Sequence, residues 1–187
     1  MRIIAGAFKG KKIFQPKDDL TRPLKDLVKE SIFNIINHSN KITIQLENSI
    51  VLDLFAGVGS FGLECLSRNA RYVIFIENYK ESLAVLNKNL HRLNLFEKFK
   101  VFNRDIINSS ILENINNIFD IIYIDPPYKE KNISIILDSI VNNNLLSDNG
   151  IIILHRHKKE IDLIPLKLKI FEEKKYGISK IIFLKKN

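Results

Sequence analysis

From residue 50 onward the sequence alternates between two textures. Short continuous apolar runs, IVLDLF (50–55), YVIFIE (72–77), KVFNRD (100–105), FDIIYID (119–125) and GIIILH (150–155), are separated by stretches with helical spacing. The latter are SFGLECLSRN (60–69), ESLAVLNKNLHRL (81–93), with Leu83, Leu86, Leu90 and Leu93 in step, and ISIILDSIVNN (133–143). A strand that is apolar on both sides must be covered on both sides, so this rhythm predicts an α/β fold: a mainly parallel sheet with helices on both faces. The end breaks the rhythm. LKLKIFEEKKYG (166–177) and ISKIIFLKK (178–186) meet near Gly177 with no helix between them, which predicts an antiparallel hairpin at the sheet edge and seven strands in all.

Ahead of this core, residues 1–20 read as a basic hairpin or arm turned by Gly6 and Gly10. Residues 21–40 read as an amphipathic helix with Leu27, Val28, Ser31, Ile32, Ile35 and Ile36 on one face. The 187 residues suit a single domain, its catalytic core spanning 50–187.

LDLFAGVGSFG follows the first strand and opens the first helix of the core. Gly57, Gly59 and Gly62 spell G-x-G-x-x-G in strand-turn-helix context, where glycines allow a tight turn and let a ligand approach the backbone. Glu77 closes the next strand, placed to take both hydroxyls of a ribose. That much fits any nucleoside-containing cofactor, a nicotinamide dinucleotide included. Two further acids discriminate. Asp53, in the last turn of the first strand, would repel a pyrophosphate but favour a cofactor bearing an ammonium or sulfonium. Asp105, ending the third strand, is placed to accept from an adenine amine. Together with Phe55 and Ala56 of the loop, these residues point to S-adenosylmethionine, with S-adenosylhomocysteine as product. Taken singly, Asp53 could cap a helix, Glu77 could be a solvated strand end and Asp105 could form a turn.

Asp125-Pro126-Pro127-Tyr128 ends the fourth strand at the same carboxyl edge. The prolines stiffen the turn and remove amide donors, leaving carbonyls and the Asp125 carboxylate as acceptors. Rigid acceptors suit an amine, and Tyr128 offers a plane for a flat extruded base. An exocyclic aromatic amine is a weak nucleophile because its lone pair is delocalised into the ring. Acceptors on its N–H groups localise that pair and stabilise the positive charge that develops on nitrogen. Asp125, Pro126 and Tyr128 are thus the candidate catalytic residues.

The charge of +8 is uneven. Residues 1–29 carry eight Lys/Arg against three acids and residues 155–187 ten against four, while the middle is mildly acidic. Basic ends around an acidic centre suit a polyanion gripped at the periphery. Arg2, Lys9, Lys11, Lys12, Arg22 and Lys25 are the expected phosphate contacts. The lone Cys65 excludes an internal disulfide framework and any cysteine-cluster metal site and reads as core packing. His155 and His157 lack a third ligand, so no metal is expected and His155-Arg156-His157 reads as a basic rim for the polyanion. His38 and His91 are expected to face solvent. No run approaches the roughly 18 apolar residues of a membrane span, and MRIIAGAFKGKK has charges where a signal peptide needs its apolar centre, so a cytoplasmic protein is expected.

MRIIAGAFKGKKI, TRPLKDLVKESIFNII, VLDLFAGVGSFGLECLSRNA, DPPY and YGISKIIFL follow, in order and across essentially the whole chain, a pattern that resembles the bacterial 16S ribosomal RNA guanine-N2 methyltransferases of the guanine 966 type. The resemblance implies a Rossmann-like class I methyltransferase. It also implies S-adenosylmethionine held by Asp53, Gly57, Gly59, Glu77 and Asp105, and a flipped guanine held by Asp125, Pro126 and Tyr128. The partner would be 16S ribosomal RNA or the small-subunit particle; a monomer is expected on its own account. The chain departs from the family's pattern in two places. Leu27 and Lys29 stand where the family usually has arginines, and His155-Arg156-His157 stands where its last parallel strand often ends in glutamate. Adenine N6 or a protein glutamine is the alternative acceptor. An NAD-dependent oxidoreductase and a non-catalytic RNA-binding module are the rivals, the first leaving DPPY without a task and the second leaving the strand-end acids idle.

Overall fold

A computed structural model describes residues 1–17, 24–108 and 110–187. The described residues form one seven-stranded sheet of order β3-β2-β1-β4-β5-β7-β6. Its strands are β1 (Ile50–Leu54), β2 (Tyr72–Glu77), β3 (Phe99–Asn103), β4 (Phe119–Ile124), β5 (Leu146–His157), β6 (Leu168–Tyr176) and β7 (Ser179–Lys186). The first five are mutually parallel, while β7 runs antiparallel to both β5 and β6, so the terminal hairpin joins the sheet through its second strand. Strand order reverses between β1 and β4, and in open sheets of this kind ligands bind outside the carboxyl ends of the strands at such a switch point.

Helices α1 (Asp26–His38), α2 (Ser60–Ser67) and α3 (Lys80–His91) cover one face. Val28, Ile32, Phe33, Phe61, Leu63, Leu66, Leu86 and Leu90 pack there on Val51, Val73, Phe75, Ile121, Tyr123, Ile153 and Phe183. Helix α4 (Ile133–Asn142) covers the other, with Ile133, Ile136, Leu137 and Ile140 on Leu52, Leu54, Ile122, Ile124 and Leu154. Alternate strand residues therefore feed two separate cores, as the unbroken apolar runs require.

The buried stripe of α1 is rotated from the expected one. Val28, Lys29, Ile32, Phe33 and Ile36 are buried, whereas Leu27 is 70% exposed. Lys29 goes inside because Glu64 of α2, itself fully buried, lies 3.7 Å from its Nζ, which also donates to Arg2 O at 2.7 Å. A buried charge is tolerated only with such partners. Glu64 also accepts from the Ile4 and Ala5 amides at 2.7 and 2.9 Å and from Arg68 Nε at 2.8 Å.

The N-terminal segment folds back on itself between residues 2 and 12. Arg2 and Lys12 pair antiparallel, and Gly6 at φ +80° lies so close to α2 that a Cβ there would meet Ser67 O at 1.8 Å. It is docked rather than free. Cys65 is buried, and His38 and His91 end their helices exposed.

Candidate functional site

The glycine loop divides its labour. A Cβ on Gly62 would stand 2.2 Å from the Phe75 ring, and one on Gly59 2.4 Å from Leu86 Cδ1, so these two glycines let α2 and α3 close on β2. Gly57, at φ +55°, faces open space, which makes it the loop position where a ligand can reach the backbone. Phe55 also adopts a left-handed φ of 58°, an uncommon conformation for a bulky residue and one that sharpens the exit from β1. Buried Ala56 donates its amide to Ile76 O at 3.1 Å and ties that exit to β2.

Two acids, Glu77 and Asp53, bond this loop directly. Glu77, 8% exposed, accepts from the amides of Gly57 (2.7 Å), Asn78 (2.8 Å) and Tyr79 (2.7 Å). Asp53 is 1% exposed. Its Oδ2 accepts from the Gly62 amide in the first turn of α2 at 2.9 Å, and its Oδ1 has no hydrogen-bond partner. The helix-end position seen for Asp53 is the capping role weighed above. Burial pushes its carboxyl well above the usual range, and the charges of Asp125 and Glu77 push the same way, so the three carboxylates share one neighbourhood. Asp105 lies two residues beyond β3 rather than at its last position. Its carboxylate accepts from the Ile107 and Asn108 amides (2.8 and 3.0 Å) and from the Asn108 side chain (3.1 Å), which holds a turn and lowers its pKa.

Across the switch point, Asp125 follows β4, and its amide donates to Leu54 O at 3.3 Å. Tyr123 OH donates to Asp125 Oδ2 at 3.1 Å, and burial pushes that phenol well up, keeping it a donor. The Tyr123 ring stacks on Phe61 at 4.1 Å, which stacks on Phe33 at 5.2 Å, so α1 and α2 brace the carboxylate from beneath. On its other side, His155 Nδ1 stands 2.8 Å from Asp125 Oδ1. Pro126 is buried; Tyr128 is half-buried, its hydroxyl 3.1 Å from Ser179 Oγ and its ring edge-on to His155 and His157.

The expected rim of three basic residues on β5 is therefore corrected. His155 and Arg156 are buried, because this strand is covered on both faces, and only His157 is half-exposed. Arg156 donates to Asp162 Oδ2 (3.0 Å) and Glu130 O (2.8 Å), joining the segment after the DPPY turn to the loop after β5. The continuous apolar run that leads into it, Ile151 to Leu154, was the signal for its burial.

Of the expected phosphate contacts, Arg2, Lys9, Lys11 and Lys12 are exposed on the hairpin and Lys25 is exposed at the start of α1; Arg22 lies outside the described residues. The sequence reading missed Lys88 and Arg92, which join this patch through the fold. Both cations sit over Phe14, at 4.3 and 4.5 Å, and Arg92 donates to Lys12 O at 3.1 Å. Asn89 hydrogen-bonds both the amide and carbonyl of Phe14 and Val58 O, so the basic hairpin reaches the glycine loop.

The family described as conserved hypothetical protein 95 matches residues 1–185. The chain belongs to that family. Ribosomal RNA small subunit methyltransferase D of Haemophilus influenzae is 32% identical over 183 residues, covering 95% of this chain and 90% of that protein. The protein of the same name from Buchnera aphidicola is 29% identical, covering 92% and 86%. Among solved structures, yhhF of Escherichia coli superposes with a TM-score of 0.83 at 27% identity, covering 100% of this chain and 98% of that one. This family member has the class I methyltransferase fold: a doubly wound sheet with its last strand inserted antiparallel.

Proposed function

We propose that the chain is an S-adenosylmethionine-dependent methyltransferase of small-subunit ribosomal RNA that methylates the exocyclic N2 amine of a guanine held as a flipped base. The relatives named for ribosomal RNA small subunit methyltransfer support the coarse activity. The observation that carries the reading further is the meeting of Glu77, Asp53 and Asp125 around the switch point, beside the open face of Gly57.

The residues present fit the cofactor. The open space at Gly57 admits it, Glu77 and Asp105 offer carboxylate acceptors for its ribose and adenine amine, and the orphaned Asp53 Oδ1 lends negative potential near its charged end. Glu77 already accepts three amides of the roughly four hydrogen bonds a carboxylate takes, so it binds a second hydroxyl only by releasing one amide. When bound, S-adenosylmethionine supplies an electrophilic methyl on sulfonium.

The chain's own residues deal with the amine. Asp125, held by Tyr123 on Oδ2, and the stiff carbonyls of the DPPY turn accept its N–H groups, turn its lone pair out of the ring and stabilise the charge that develops on nitrogen. Tyr128 offers its face to the flipped base. Positioning of this kind supplies up to about 7–11 kcal/mol of barrier lowering.

Nucleoside mass spectrometry of small-subunit RNA from cells lacking the gene tests the reading. One N2-methylguanosine disappears and returns when the purified protein and S-adenosylmethionine are added; an unchanged nucleoside profile contradicts it.

A further inference from the structure

Strand β5 is buried without a break from Gly150 to Arg156, and a histidine follows its apolar run at a position 7% exposed. Neither ring nitrogen of His155 has a hydrogen-bond partner. An unsatisfied buried imidazole costs stability, and a strand that carries one is using it for something other than the core. The β4–β5 register pairs Ile124 with Leu154, so the next residues on each strand, Asp125 and His155, stand side by side. Nδ1 reaches 2.8 Å from Asp125 Oδ1 but off the line of a good hydrogen bond, a geometry common at sites that tighten only when substrate is in place. Asp125 is thus flanked on both oxygens, by Tyr123 on one and by the imidazole on the other.

We infer that His155 is a positioning residue for Asp125, and that its neutral imidazole is the form that leaves the carboxylate able to accept the amine. This rests on the methyl-transfer reading above. A neutral Nδ1–H fixes the carboxylate plane and preserves its full negative charge. An imidazolium at the same distance cancels that charge and withdraws the acceptor from the substrate. The groups that set the balance are Asp125 and Tyr123 from β4, Tyr128 from the turn, Asp53 from β1, Arg156 and His157 from β5 itself and Lys180 from β7. Asp26 and Lys29 belong to α1, which covers the same face. Asp125 is the one acid in ion-pair range of the ring among the described residues.

The test uses the full chain with His155→Gln, which is never charged, and His155→Phe, which has no ring nitrogen. Single-turnover methyl transfer to small-subunit RNA is followed against pH. The wild type is expected to lose rate on the acid side. His155→Gln loses that acid limb while keeping a rate within about tenfold of the wild-type plateau, and His155→Phe falls by about tenfold or more, with S-adenosylhomocysteine affinity unchanged in both. A readout independent of activity accompanies it. In Asp125→Asn, the ring-nitrogen NMR shifts of His155 are expected to move from their wild-type values, as the 2.8 Å contact requires. An acid limb that persists unchanged in His155→Gln, or ring-nitrogen shifts that Asp125→Asn leaves unchanged, overturns the inference. A wild-type protein that transfers no methyl overturns the parent reading instead, and the NMR comparison then still decides whether the two residues are coupled.

Discussion

The Gly57 amide donates to Glu77 Oε2 across 2.7 Å, and this bond closes the glycine loop onto the end of β2. Glu77 therefore shapes the loop before any ligand arrives, and its removal strands the Gly57, Asn78 and Tyr79 amides together. Glu77→Ala is expected to weaken S-adenosylhomocysteine binding by about 10- to 100-fold, read by calorimetry, and to lower the melting temperature at the same time.

Two glycines of the loop separate packing from binding. Gly62→Ala puts a methyl group 2.2 Å from Phe75 and is expected to cost about 1–3 kcal/mol in chemical denaturation. Gly57→Ala meets no atom within 4 Å, so its folding cost is only the left-handed backbone, about 1–2 kcal/mol. Its loss of cofactor affinity is expected to exceed that of Gly62→Ala when both are measured on folded protein.

Asp53 stores a cost that follows pH. Its folded carboxyl titrates well above an ordinary aspartate, so the folded state holds the proton more tightly than the unfolded chain. Its stabilising share is complete below the unfolded value of about 3.9 and is lost as pH rises through the folded value. Asp53→Asn keeps an acceptor for the Gly62 amide without the buried charge. It is expected to raise the neutral-pH melting temperature and flatten this loss, while weakening binding of the cationic methyl donor.

The basic hairpin makes a claim about salt. Neutralising Lys9, Lys11 and Lys12 together is expected to reduce the slope of log affinity against log salt for RNA by about 2, from roughly 0.7 per single-strand phosphate contact. Lys88 and Arg92, seated over Phe14 beside the hairpin, are expected to add to that loss. An unchanged slope would make this surface a solvated face.

The fold was legible because period and punctuation agree: continuous apolar runs lie in β1, β2, β4 and β5, the shorter Val101-Phe102 pair lies in the edge strand β3, and the missing helix around Gly177 became the β6–β7 hairpin. What escaped depends on partners far away in sequence. The apolar face assigned to Leu27 turns instead to Lys29, because Glu64, 35 residues on, supplies the charge that lets Lys29 go inside. His155 was read from its two basic-looking neighbours, whereas the buried strand it sits in governs its environment. Lys88 and Arg92 join the hairpin only through α3 packing, which no local pattern records.

The account turns on the Asp125 carboxylate as acceptor for the substrate amine, and one comparison addresses it directly. Single-turnover methyl transfer by Asp125→Ala and Asp125→Asn at saturating RNA and methyl donor is expected to fall by about 10²–10³-fold, with S-adenosylhomocysteine affinity within about threefold of wild type. Near-normal turnover in either variant, with the donor still bound, would contradict it.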